Sequence, residues 1–179
     1  MNLQRKPQKC KKLNTEENYL SFTKKQFAQY KLLAEKAIEQ IDADKLFIQV
    51  NKESNSIAII IQHMAGNMLS RWTDFLTTDG EKEWRNREEE FEVVLKTKEN
   101  VMKVWEEGWQ CLFDALEKLN PAILQQTIFI RGEAHTIVEA INRQLAHYPY
   151  HVGQIILLAK MFNQNFVSLS IPKKMINKG

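Results

Sequence analysis

The chain has 179 residues, with 25 lysines and arginines against 22 aspartates and glutamates, four histidines and two cysteines. That length accommodates one well-buried core and is short for two. The net charge of +3 is largely local, because Arg5, Lys6, Lys9, Lys11 and Lys12 crowd the N-terminus without an acidic partner; the remainder is near neutral, so no nucleic acid and no membrane is expected as a partner.

Cys10 and Cys111 are too few for a stapled scaffold and too isolated for a cysteine-based metal site, and both are expected to be reduced. The apolar runs Ile57 to Ile61 and Ile155 to Ala159 are each about five residues, too short for a signal peptide or a spanning helix. A cytoplasmic protein is the expectation. Residues 1–13 read as a disordered basic tail, 14–163 as one helical domain and 164–179 as a C-terminal tail.

From about Glu16 to Ile41, the apolar positions Tyr19, Leu20, Phe22, Phe27, Tyr30, Leu33, Ala34, Ala37 and Ile41 recur near one stripe and predict a first helix. Ser54, Asn55 and Ser56 offer capping oxygens to a second, from Ile57 to about Leu76, which Thr77, Thr78, Asp79 and Gly80 end. Glu81 to Arg87 is polar apart from Trp84 and predicts a loop over the bundle end. A third helix is expected from near Glu88, where Phe91, Leu95, Met102, Trp105, Trp109, Leu112, Leu116 and Leu119 follow alternating threes and fours with only Lys98 interrupting. Asn120 and Pro121 stop it.

Thr127 to Ile130 alternates enough for a short extended segment before Gly132. The last helix opens on Thr136 and Glu139, the pattern of a capping box, and should continue to about Asn163. Phe166, Leu169 and Ile171 in the tail are candidates to pack back. Four amphipathic helices make an all-α four-helix bundle the natural architecture, and bundles of this kind build metal sites from side chains on facing helices.

His147 and His151 stand four residues apart, which places their Cβ atoms about 5 to 6 Å apart on one helix face. His63 lies on the second helix, sharing a stripe with Ile59, Ile60 and Asn67. The pair shares its stripe with Ala140, Gln144, Ile155 and Leu158. Three neutral imidazoles from two helices could hold one divalent ion. By spacing alone the pair is a weak signal, because isolated core histidines are common. Tyr148 follows His147 where the zinc-protease pattern needs a glutamate, which excludes that reading. His135 is about 18 Å from His147 along a helix axis, too far for the same ion, and reads as a residue leading into the last helix.

Pro149 removes the amide that would bond the Leu145 carbonyl. It is either a tolerated kink or a device that sets the angle between the two imidazoles. Arg143, one turn before His147, and Arg71, two turns beyond His63, are either anion-binding groups or surface ion-pair residues. Asn67 and Gln144 are candidates to hydrogen-bond the histidines. Trp72, Trp105 and Trp109 read as core.

The run His63-Met64-Ala65-Gly66-Asn67-Met68-Leu69-Ser70-Arg71-Trp72-Thr73-Asp74-Phe75, then Asp79-Gly80-Glu81-Lys82 and Trp84-Arg85-Asn86-Arg87, resembles a branch of the DinB/YfiT-like superfamily. So do Arg131-Gly132-Glu133, His135-Thr136, Ile141-Asn142-Arg143-Gln144, His147 and Tyr150-His151-Val152-Gly153-Gln154-Ile155. The resemblance extends from about Asn14 to Pro172. It implies a four-helix bundle with a divalent-metal site formed by His63, His147 and His151, a homodimer, and kinship with transferases and isomerases that use low-molecular-weight thiols. Pro149 departs from what the branch carries between its last two histidines, and the Trp84 to Arg87 segment has no catalytic role to transfer.

An ion held by three neutral imidazoles keeps its full charge and an open position, so it can ionise a thiol or a water. Zinc, nickel, manganese and iron all fit such a donor set. No Asp or Glu shares the histidine stripes, so a general base would be the activated water itself or a residue from the Glu81 to Glu90 region. The first expectation is a metal-dependent enzyme acting on a small molecule, a thiol S-transferase or a hydrolase. The alternatives are a non-catalytic, stress-associated metal-binding bundle and a metal-free homodimeric interaction module. An open site beside a pocket of roughly 300 Å³ or more separates the first from the others.

Overall fold

The computed structural model describes residues 14–92 and 94–169. Its four helices form an all-α bundle. Helix α1, Thr15–Ile38, starts at a capping box in which the Asn14 side chain accepts from the Glu17 amide and Glu17 accepts from the Asn14 amide. Helix α2, Ile57–Trp72, is capped by the Ser56 hydroxyl and is buried nearly all round, as befits the central helix. Helix α3, Lys98–Glu117, is capped by Thr97. Helix α4, Ile137–Phe162, begins at the expected Thr136–Glu139 box and runs through Pro149 as one helix.

Packing is closest between α2 and α3 and between α1 and α4, with α2 also meeting α4. A Cβ on Gly108 of α3 would lie 2.9 Å from the Ala65 Cα of α2, so glycine is what allows these two backbones to approach. Phe27, Trp109 and Tyr148, from α1, α3 and α4, meet at the centre with ring centroids 5.8 to 6.4 Å apart. Among the described residues, no helix is long and apolar enough to cross a membrane.

Three sequence expectations need correction. The second helix stops at Trp72, short of Leu76, because Thr73 turns to an extended conformation and Asp74 has a positive φ of 47°. The third helix starts at Lys98, well after Glu88, so Lys98 is its first residue and does not interrupt its stripe. The preceding residues form a 3-10 turn, Glu89–Phe91, in which the Glu90 and Phe91 side chains meet His63 of α2. Phe91, at 47 % exposure, therefore lies outside the bundle seam. The extended segment is one arm of a hairpin: β1, Thr127–Ile130, pairs antiparallel with β2, Glu133–Thr136. Arg131 and Gly132, both at positive φ, make the two-residue turn.

The hairpin is tied to the α2 exit loop. Asp79 accepts from the Arg131, Gly132 and Glu81 amides at 2.7 to 2.8 Å, and the Gly80 amide donates to the Phe129 carbonyl at 2.8 Å. Phe166 and Leu169 pack against the core, and the Val167 amide donates to Gln40. The expected basic tail, Cys10 and Ile171 lie outside the described residues.

Candidate metal centre

The ligand-capable nitrogens of His63, His147 and His151 all lie within 4.8 Å of one another, where α2 faces α4. The His147 and His151 Nε2 atoms are 3.0 Å apart, as the four-residue spacing on one helix face allows. The His63 ring sits edge-on to both, at centroid distances of 5.6 and 4.9 Å. His135 is in β2 opposite Ile128, with Glu133 as its neighbour at 3.9 Å, and is not part of this group.

Each of two rings is held by its other nitrogen. His63 Nδ1 lies 2.9 Å from Glu90 Oε2. A carboxylate accepts, so Nδ1 carries the proton and Nε2 is left with a free lone pair. Arg85 grips the same carboxylate twice, from Nε to Oε1 at 2.6 Å and from Nη2 to Oε2 at 2.9 Å. Burial alone would raise the Glu90 pKa, but the bonds from His63 and Arg85 outweigh it and hold the carboxyl below its ordinary value. Likewise His151 Nδ1 donates to Gln154 Oε1 at 3.0 Å, again leaving Nε2 bare.

Space for Glu90 is provided by Gly66, one turn along α2 from His63. A Cβ there would sit 2.9 Å from the Glu90 Cδ and collide with Oε1. The Glu89–Phe91 turn is pinned by the Gln62 amide, which donates to the Glu89 and Glu92 carbonyls at 2.8 and 3.2 Å. Phe91 then stacks on the outer face of His63 with centroids 5.0 Å apart.

The paired rings of α4, His147 and His151, are held toward the neutral form. Burial, then the neighbouring His151, His63, Arg143 and Arg71 charges, push the His147 pKa down to about 4. Burial also lowers that of His151 against the opposing effect of its Gln154 bond. Three converging imidazoles, two of them oriented by a hydrogen bond at the far nitrogen, form the donor set that a divalent ion takes, so the residues fit a metal.

His63 and His147 also form part of the wall of a cavity of about 500 Å³. Asn67 and Gln144 line it too, although the hydrogen bonds to the histidines come from Glu90 and Gln154 instead. Tyr148 accepts from Trp72 Nε1 at 3.1 Å, so its own proton goes to Asn67 Oδ1 at 3.2 Å, and the Asn67 Nδ2 remains a donor on the wall. Arg71 and Arg143, with Arg87 and Arg131, also line the cavity. A second hollow of about 590 Å³ between the end of α2 and α3 has an acidic lining, contains Cys111 and none of the three histidines.

Arg85 and Gln154 are not singled out by the sequence as site residues, and Glu90, the end of the Glu81 to Glu90 region expected to offer a general base, instead bonds His63 and Arg85. Gln154 was within reach of sequence reasoning, since it stands three residues from His151 on one helix face. Glu90 had only the weaker signal of an acidic loop, because its bond to His63 spans 27 residues of chain.

An all-α bundle that brings three imidazoles from two helices together, two of them on the wall of an open cavity, defines a protein whose histidine cluster could hold a metal ion. The chain belongs to the family described as protein of unknown function (DUF1572), which matches residues 14–175. No curated protein and no solved structure matches it.

Proposed function

We propose that this chain is a member of the DinB/YfiT-like superfamily that binds a divalent metal through His63, His147 and His151 and acts as a metal-dependent enzyme on a small molecule. The reaction class is thiol S-transfer, with a low-molecular-weight thiol as co-substrate, or small-molecule hydrolysis. The observation that carries this reading is the 500 Å³ cavity walled by His63 and His147 themselves. A metal that merely stapled α2 to α4 would need no such opening.

When bound, a zinc, nickel, manganese or iron ion would supply Lewis acidity and make a thiol or water acidic enough to ionise near neutral pH. The protein's own groups set the stage for it. Glu90 holds the proton of His63 on Nδ1, Arg85 keeps Glu90 ionised, and Gln154 does for His151 what Glu90 does for His63. Both Glu90 oxygens are engaged, and no aspartate or glutamate is among the residues lining the cavity, so the attacking group carries its own basicity. The alternative, a non-catalytic stress-associated bundle, shares the metal site and leaves the cavity unexplained.

The deciding experiment is metal analysis of protein purified without a His tag, followed by titration with Zn²⁺, Ni²⁺ and Mn²⁺. One ion per chain and a raised melting temperature are expected. If none of the three ions binds or stabilises the protein, the proposal fails. A homodimer, expected from the resemblance, would cover the exposed Tyr150, Leu157 and Met161 on α4, and sedimentation velocity on wild type and Leu157→Glu reads it directly.

A further inference from the structure

We propose that the cavity beside the three histidines receives a small molecule bearing at least two negative charges, a dicarboxylate or a phosphate monoester, with Arg71 as its buried counter-charge and Arg87 and Arg143 at the rim. The proposal rests on the metal-site reading only for which end of that molecule meets the histidines; the charge argument stands on the arginines.

Arg71 is 2 % exposed, yet its Nε and Nη1 have no hydrogen-bond partner. Among the described residues, no carboxylate lies within 4.0 Å of it. An arginine cannot escape this position by losing its proton, so a cation withdrawn from water without an anion is strongly unfavourable. Burial lowers the Arg71 pKa; Tyr148 and Glu81 oppose this, and Arg143 and Arg85 add to it.

The nearby acids are already committed. Glu81 pairs with Arg131 at 3.1 Å and Arg85 at 3.7 Å, Glu90 with Arg85 and His63, and Asp79 with three backbone amides. Arg87 and Arg143 line the same cavity, are exposed, and have no ion pair among the described residues. Three uncompensated guanidinium groups thus face one space of about 500 Å³, with the Asn67 amide as a further donor. The chain also makes room for Arg71: a Cβ on Gly80 would lie 2.9 Å from its Nη1. Guanidinium groups match carboxylate and phosphate oxygens through paired N–H bonds, which identifies the ligand class.

The test uses the full chain freed of metal on a chelating resin, since a soluble polyanionic chelator would compete. Inorganic phosphate, succinate and uncharged succinamide are titrated at matched ionic strength, with binding read by calorimetry and by melting temperature. Phosphate or succinate should bind and stabilise, and succinamide should not; whichever anion binds identifies the phosphate or the dicarboxylate class. Arg71→Gln and the exposed Arg143→Gln should each weaken binding about tenfold, while Lys103→Gln on the far surface of α3 should not. Arg143→Gln keeps the test valid if Arg71→Gln fails to fold. Failure of both anions to bind beyond a sodium chloride control, or unchanged affinity in Arg143→Gln, overturns the proposal. Zn²⁺ titration of the same preparation reports on the metal site separately, so either reading can fall without the other.

Discussion

The Glu90 carboxylate lies 2.9 Å from the His63 Nδ1, and this single bond fastens an irregular loop to the central helix of the bundle. It fixes the tautomer of His63, so that Nε2 points its lone pair at the other two histidines. Arg85 makes the arrangement rigid by holding both carboxylate oxygens.

Removing the charge on Glu90 should therefore act on the metal without reaching it. Glu90→Gln is expected to weaken Zn²⁺ affinity by about ten- to a hundredfold, the usual effect of losing a group that orients a ligating histidine. Competition with a chromophoric chelator measures it. Wild-type affinity in this variant would mean that the Glu90–His63 bond is structural only.

Gly66→Ala should lower metal affinity even though alanine favours a helix over glycine by about 1 kcal/mol. The added Cβ would sit 2.9 Å from the Glu90 Cδ, so the carboxylate must shift from its place against His63. Isothermal titration with Zn²⁺ checks the affinity. NMR of the His63 ring reports the lost bond.

His147→Ala and His151→Ala should each abolish metal binding, and His135→Ala should leave it intact, because only the first two belong to the cluster. At a metal concentration a hundred times the dissociation constant, binding stabilises the wild type by about 2.7 kcal/mol. For a chain of this size that raises the melting temperature by roughly 5 to 10 °C. Equal behaviour of all three variants in a thermal melt with Zn²⁺ would contradict the ligand assignment.

The metal-free protein should lose stability as pH falls from about 6.5, the unfolded value for histidine, toward 4. His147 titrates at about 4 when folded. Between those values the unfolded chain binds more protons than the folded one, so the contribution is fully present above the upper pH and declines below it. His151 shifts in the same direction. Urea melts at about pH 7.5 and about pH 5 measure the effect, and His147→Gln should flatten the difference.

Much of the bundle was legible because its signals are local. The Thr136–Glu139 capping box lies within four consecutive residues, and the spacing of His147 and His151 is the pitch of one helix. The same reasoning misplaced the start of α3, where Phe91 and Leu95 happen to continue the stripe. What breaks it is the demand of His63 and Arg85 for Glu90, which pulls that turn onto α2. β2 was missed for a related reason: Gly132 announced a turn, but strand partners are chosen by pairing across it.

Periodicity and caps thus determined from the sequence alone that the chain would form amphipathic helices, and that two histidines would share a face. Only the tertiary structure decided that His63 meets them, that Glu90 and Arg85 stand behind it, and that Arg71 is buried without an anion beside the cavity. The physical reason is reach. Helix propensity and capping act over a few residues, whereas these contacts join segments whose proximity is set by how the whole core packs.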